Sequence, residues 1–469
     1  MNRNLIPALI KGLLNPLLSL IANLHIRGGG ICWLYSFVLS CCAVIGSGQL
    51  VLGQENPCYI PNLPNHLQNV TFSSSATSRI MSNEPYVVRL YIHIVRKHDG
   101  TDGRTIEDAY TAFKKLQDAY YPNGIYFKLQ CLDLLNVPEP EEYRLWSNQG
   151  TFTKFRDYIV QNSIVQTDGM NMFLVPNNAT HGNNPSFNNF IGGYAYNIPN
   201  NYFWIAGIIE SNSVDVVTSN VSVHELGHCL GLFHTFHGSC GEPATEPPYI
   251  ACEELVQQSE TCATTNCTTS SNSTCNCCTC GDYVCDTYAT PVINTKQDIS
   301  PSCTIPDFKT CPSTDAIGNT YNPQLNNFMN YTHTDCQNTF TAGQVFRMRA
   351  TLEATTAFNG ILFSTLLANI NTDGYTLANY TLPAGSTLWN MPRHIIGKIT
   401  VPNGATLTIS NTTLAFEGTA AGITVEKGGK LIIDNATLRD NSCAATPWQG
   451  ITVNGNGFVP HPANYLTTN

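Results

Sequence analysis

Apolar and polar positions change their period several times along this chain. Tyr86 to Val95 alternates among β-forming side chains, which predicts a strand. Thr105 to Tyr120 carries Ile106, Ala109, Tyr110, Phe113 and Leu116 at helical spacing. Ile125 to Leu132 predicts a second strand, Phe152 to Val160 a short helix, and Met170 to Val175 and Phe203 to Ile209 two further strands. Val214 to Val221 then leads into a helix. Thr341, with Gln344 three residues on, opens another as a capping box, and Val345, Phe346, Met348 and Leu352 continue it. The order is that of an α/β (α+β) unit with a mixed sheet, closing near Phe358.

Beyond that point the pattern becomes repetitive. Ile399 to Leu414 and Ile423 to Leu438 align without gaps at an offset of twenty-four, as alternating Val, Leu and Ile broken by Gly turns. Thr381 to Leu388 and Ile451 to Gly455 read as partial copies. Such a period predicts an all-β repeat domain, a partial β-solenoid, with a β-sandwich of similar hairpins as the alternative. The expected organisation is a targeting segment over 1–53, a propeptide or linker over 54–84, a catalytic unit over 85–360, a linker over 361–378 and repeats over 379–469. The repeat domain reads as incomplete at Asn469.

Composition narrows the compartment. Charged residues make up 12 % of the chain and the formal net charge is −10, with no Lys/Arg run, which excludes a nucleic-acid footprint. Arg3, Lys11 and Arg27 precede an apolar run from Ile31 to Ile45 and small residues up to Gly53, as in a secretory signal; an uncleaved membrane anchor is the alternative. The chain has 19 cysteines, concentrated between Cys240 and Cys336, as expected of a secreted, disulfide-stapled surface. The Cys-rich insertion over 240–311 includes Cys275-Asn276-Cys277-Cys278-Thr279-Cys280, for which a second metal site is the other reading. Cys58 is either a latency thiolate aimed at a metal or an ordinary disulfide cysteine.

Candidate chemistry centres on Val223 to Thr235, which contains H-E-x-x-H-x-x-G-x-x-H. His224 and His228 share a helix face and can converge on one ion. Gly231 is where a left-handed residue would end the helix and bring His234 round as a third ligand. Three nitrogen ligands leave one position open, as in a catalytic zinc site, and Glu225 stands beside it as a general base.

With a methionine downstream, the motif resembles the metzincin zinc endopeptidases. His234-Thr235-Phe236, Gly281 to Thr287, Asn327 to Tyr331, Asp335-Cys336 and Phe340-Thr341 with Gln344 and Arg347-Met348 resemble the pappalysin family over Tyr86 to Phe358. The resemblance implies zinc on His224, His228 and His234, Glu225 as base and acid, Met329 in a Met-turn beneath the metal, and Tyr331 assisting the transition state. It also implies calcium near Asp282, Asp286 and Thr287, although Tyr288 replaces the expected proline and Cys285 is extra. The disulfides it implies are Cys280–Cys311 and Cys303–Cys336. The expected protein is a secreted or cell-surface zinc endopeptidase acting on proteins or peptides. The competing reading is a surface adhesin with an inactive protease module.

Overall fold

The computed structural model describes residues 84–101, 103–138, 149–175, 192–205, 208–209, 214–239, 254–256, 277, 280–291, 303, 312–355, 357–443 and 447–455. The expected targeting segment, Cys58 and Cys311 lie outside them. Among the described residues, no helix is long and apolar enough to cross a membrane.

The central strand is β1 (Tyr86–Lys97), whose 12 residues give it room for two partners along one edge. β2 (Ile125–Leu129) pairs with its first half and β3 (Asp133–Val137) with its second, both parallel. The strand expected over Ile125 to Leu132 is therefore interrupted after Leu129, and pairing resumes at Asp133. After α2 (Gln149–Gln161), β4 (Met170–Leu174) pairs with the other edge of β1. β5 (Gly193–Ala195) and β6 (Tyr202–Ile205) complete a six-stranded sheet in which β6 is parallel to β4 and only the outer β5 runs antiparallel. A short ribbon of β7 (Ile208–Ile209) and β8 (Val214–Asp215) follows.

The helix α1 (Ile106–Tyr120) starts at a full capping box, in which the Asp108 N–H donates to Thr105 Oγ1 (3.1 Å) and the Thr105 N–H to Asp108 Oδ2 (2.9 Å). Its apolar stripe of Ala109, Ala112, Phe113, Leu116 and Tyr120 is buried in the main core. Gly124, at φ +71°, makes the left-handed turn that lets β2 begin at once. Two helices finish this part: α3 (Val221–Cys229), buried among β5, β6 and α1, and α4 (Ala342–Glu353), whose Thr341–Gln344 capping box forms as its sequence predicts.

From Tyr375 onward the chain forms three parallel sheets. Its strands are β9 (Tyr375–Leu377), β10 (Tyr380–Thr381), β11 (Gly385–Trp389), β12 (Arg393–Ile395), β13 (Lys398–Val401), β14 (Ala405–Ser410), β15 (Thr413–Phe416), β16 (Gly422–Val425), β17 (Lys430–Asp434), β18 (Thr437–Asp440) and β19 (Ile451–Val453). The sheet orders are β10-β13-β16-β19, β11-β14-β17 and β18-β15-β12-β9. The twenty-four-residue offset becomes register: Ile399 pairs with Ile423, Leu407 with Leu431 and Leu414 with Leu438. All pairings among these described strands are parallel, whereas hairpin-linked neighbours would pair antiparallel. Alternate residues such as Leu407, Ile409, Leu414 and Phe416 fill the interior.

The stretch expected as a linker is built into the structure. The Ala368 N–H donates to the Val87 carbonyl (2.7 Å), and a 3-10 turn spans Phe363–Leu366. β9 then lies against β2, where the Leu129 N–H donates to Thr376 Oγ1 (2.9 Å). Thr376 Oγ1 lies 3.2 Å from His394 Nδ1, and His394 Nε2 lies 2.9 Å from Glu417 Oε2. The hydroxyl of Tyr110, on α1, donates to Glu417 Oε1 (3.1 Å). A disulfide between Cys131 and Cys443 joins the same two regions. The repeats are thus keyed to α1 and β2 through a buried polar chain.

Candidate metal centre

Eight residues of α3, Ser222 to Cys229, are buried, so the histidine-bearing helix runs through the interior. Two outside contacts fix it. The Tyr120 hydroxyl donates to the Val223 carbonyl (2.8 Å), and Asn220 Nδ2 donates to the carbonyls of Thr334 (2.7 Å) and Gln337 (2.9 Å). Gly231 ends the helix as expected, at φ +91°, and the Leu232 N–H reaches back to the Gly227 carbonyl (3.0 Å). A side chain at Gly231 would also meet Thr351 Oγ1 at 2.8 Å.

The turn brings His234 to the first two histidines. The three Nε2 atoms form a triangle with 3.1 Å sides. Bonds of 2.0–2.1 Å in tetrahedral geometry would set zinc ligands about 3.3 Å apart, so the donor set fits that ion. Both helix histidines have their other nitrogen on a carbonyl: His224 Nδ1 on Phe328 (2.8 Å) and His228 Nδ1 on Leu232 (2.7 Å). Each Nδ1 therefore carries the proton, and the Nε2 lone pairs point inward at each other. Burial lowers the pKa of His224 to about 4 and pushes His228 and His234 well below the ordinary histidine value, keeping the rings neutral. Converging lone pairs on neutral rings call for a cation between them. Among the described residues, this is the only group of three or more His, Cys, Asp or Glu side chains spaced to hold a metal ion.

Glu225 is buried on the adjoining helix position. Gly193 of β5 comes so close that a Cβ there would lie 2.7 Å from Glu225 Cγ and 2.9 Å from its Oε1. Met329 is fully buried against the histidine-bearing helix, where a Cβ on Gly227 would lie 2.5 Å from its sulfur. The Thr235 N–H donates to the Met329 carbonyl (3.2 Å), tying the His234 segment to the Met329 loop. The Tyr331 ring centroid stands 4.7 Å from that of His234 and 5.8 Å from that of His224.

The expected calcium residues separate into two roles. Asp282 is buried; its Oδ1 accepts from the Val284 N–H and Thr287 Oγ1, both at 2.9 Å. Asp286 instead faces the start of α4, where Oδ1 accepts from Thr341 Oγ1 (2.7 Å) and Oδ2 from the Gly343 N–H (2.8 Å). That placement satisfies an orphan helix N–H and places a negative charge at the positive end of the helix dipole. Arg347 holds the same turn through the carbonyls of Asp282 (2.6 Å) and Tyr283. Cys303 pairs with Cys336 as the resemblance implies. Cys280 is disulfide-bonded, and its expected partner lies outside the described residues. The extra Cys285 pairs with Cys277.

Sequence reasoning missed Gly193, Gly227, Asn220 and Glu254. Gly227, inside a helix, carried the one visible signal, since glycine there costs about 1 kcal/mol relative to alanine and implies a reason for its presence.

No family model matches the chain. It is 28% identical to human pappalysin-1 over 141 residues, 29% of this chain and 6% of the relative. It is 23% identical to an extracellular metalloprotease of Podospora anserina over 189 residues, 38% of this chain and 60% of the relative. The chain thus spans less than two thirds of both relatives. Mature mirolysin of Tannerella forsythia superposes with a TM-score of 0.36 and 16% identity, covering 61% of this chain and 99% of that one. In sequence, the chain that forms this three-histidine centre is similar to the pappalysin family of metzincin metalloproteases.

Proposed function

We propose that the chain is a secreted zinc-dependent endopeptidase that hydrolyses peptide bonds of proteins or peptides. The observation that carries this is the 3.1 Å triangle of Nε2 atoms with buried Glu225 on the next helix position. Bound zinc would lower the pKa of a water toward about 7 and polarise a carbonyl. Glu225 takes the proton from the attacking water on its carboxylate and returns it to the leaving amine. The Tyr331 hydroxyl donates toward the developing oxyanion. Secretion is supported by the disulfides Cys131–Cys443, Cys277–Cys285 and Cys303–Cys336 and by the similarity to an extracellular enzyme. The parallel sheets, in twenty-four-residue register, support reading the C-terminal region as a β-solenoid.

Calcium belongs to the same reading in a narrower form. Asp282 Oδ2 is buried with no hydrogen-bond partner among the described residues, and burial raises the carboxyl pKa to about 7, against the opposing pull of Arg347. Glu254, also buried, packs so close to Gly281 that a Cβ there would lie 2.2 Å from Oε2. Asp282 and Glu254 would offer the carboxylate oxygens that calcium takes, with the Thr287 hydroxyl already on Asp282 Oδ1. Asp286 is committed to α4. Calcium should raise the Tm of the wild type and leave Asp282→Asn unchanged; equal shifts in both would remove the site.

Casein digestion tests the main reading. The wild type should cleave, lose activity to a chelator and regain it with zinc. Glu225→Ala should retain zinc and lose activity by about 10²–10⁴-fold. Cleavage by Glu225→Ala at the wild-type rate would rule the mechanism out.

A further inference from the structure

Asn327 and Gln344 are both fully buried, 17 residues apart, and their side-chain amides face each other. Asn327 Nδ2 donates to Gln344 Oε1 (2.9 Å), and Gln344 Nε2 donates back to Asn327 Oδ1 (3.2 Å). Each oxygen takes a second donor. Asn327 Oδ1 accepts from the Met329 N–H (2.9 Å), and Gln344 Oε1 accepts from the Thr341 N–H (3.0 Å). Gln344 is thus more than the third residue of a capping box. It joins the start of α4 to the loop whose Phe328 carbonyl accepts from His224, and Asp286 also bonds to the same helix start.

Phe328 lies between the two loop residues that this pair controls. Its N–H donates to the Thr339 carbonyl (3.0 Å), and its own carbonyl receives the His224 Nδ1 proton (2.8 Å). The acceptor that sets the His224 tautomer and ring angle is therefore a backbone group. Its position depends on Asn327 gripping Met329, and on Gln344 gripping Asn327. Breaking one amide would leave the other's polar atoms buried without the partners they have now, which is costly in a low-dielectric interior.

We propose that Asn327 and Gln344 are a positioning pair for the metal centre: they fix the Phe328 carbonyl and Met329 against the histidine-bearing helix, so metal affinity and coordination geometry depend on two side chains that touch neither metal nor substrate. This rests on the zinc reading of the site. Groups that orient metal-bound histidines typically account for 10–100-fold in metal affinity or activity.

The test uses the full chain and four readouts: zinc affinity by chelator competition, the visible absorption bands of the cobalt-substituted protein, kcat and KM on a peptide, and Tm. The variants are Asn327→Ala, Gln344→Ala and Asn327→Asp, which keeps the acceptor for the Met329 N–H. Leu407→Ala, buried in the repeats, is the control for lost stability alone. Asn327→Ala and Gln344→Ala should each weaken zinc binding about 10–100-fold and shift the cobalt bands. Their kcat should fall more than KM rises, and Asn327→Asp should lie between them and the wild type. Leu407→Ala should lower Tm with zinc affinity and cobalt bands unchanged. If both alanine variants fail to fold, Asn327→Asp decides. Wild-type zinc affinity and an unshifted cobalt spectrum in any folded variant at Asn327 would overturn the pairing role. Failure of the wild type itself to bind zinc or cleave peptide would overturn the functional reading instead.

Discussion

Gly227 and Met329 are packed so tightly that a single added carbon on the glycine would lie 2.5 Å from the methionine sulfur. The glycine lies between His224 and His228 in α3, so the methionine packs directly against the histidine-bearing helix. Two effects oppose each other in Gly227→Ala. Alanine improves helix propensity by about 1 kcal/mol. Overpacking a tight core costs about 1–3 kcal/mol, and Met329 has no exposed side to move into. The clash should win. Thermal unfolding should show a lower Tm, and chelator competition should show weaker zinc binding; a raised Tm with unchanged zinc affinity would mean the Met329 loop is not rigid.

Gly193→Ala addresses Glu225 from the strand side. The new Cβ would lie 2.6 Å from Val221 Cγ1 and 2.7 Å from Glu225 Cγ. Val221 is β-branched and stiff, so Glu225 should be the side chain that moves. Misplacement by about 1 Å costs on the order of 10²-fold in rate. Steady-state kinetics should show a drop of that order in kcat, with zinc affinity close to wild type. An unchanged kcat would remove Glu225 from the chemistry or show that β5 yields.

The Cys303–Cys336 disulfide closes a span of 33 residues and ends just after the loop that carries Met329 and Tyr331. Chain-entropy arguments give such a loop about 3–4 kcal/mol. The double variant Cys303→Ser with Cys336→Ser should unfold at a clearly lower temperature. Tm that matches the wild type under non-reducing conditions would count against the bridge as a stabilising element.

The seam between α1 and the repeats should respond to acid. Burial lowers the pKa of His394 and Glu417 raises it, leaving it below the ordinary histidine value. Burial raises the pKa of Glu417, and His394, Asn441 and Tyr110 bring it below the ordinary carboxylate value. Both depressed values have the same sign. His394 contributes stability present above about pH 6.5, and Glu417 stability present above about pH 4.3; each is lost as pH falls through the folded value. Lys128 also faces this cluster, and burial lowers its pKa below the ordinary lysine value against the pull of Asp373 and Glu417. Amide exchange in β12 and β15 should therefore accelerate as pH drops below about 6.5, after correction for intrinsic rates. Glu417→Gln should flatten the lower part of that profile, and a profile identical to the wild type would exclude the pair as its source.

Much of the centre was legible in the linear chain because its chemistry is local. His224, Glu225, His228, Gly231 and His234 fall within eleven residues; helical geometry brings the first three to one place, and the glycine turn that follows delivers His234. The twenty-four-residue offset likewise predicted a register, since identical spacing of apolar residues stacks like on like. The Cys303–Cys336 pairing was reached by resemblance and not from spacing.

The sequence by itself determined the main helices, the strands other than β3 and β5, the three-histidine set and the place of the glycine turn, all of which depend on neighbours a few positions apart. Only the tertiary structure decided how these parts are held. Asp286 went to the end of α4, and Gln344 met Asn327. Gly193 left room for Glu225. The expected linker became the contact between Thr376 and β2. Each of these is a long-range choice among many chemically similar polar or small residues. Local propensity cannot make that choice, because it is set by which buried groups would otherwise lack a partner once the core has closed.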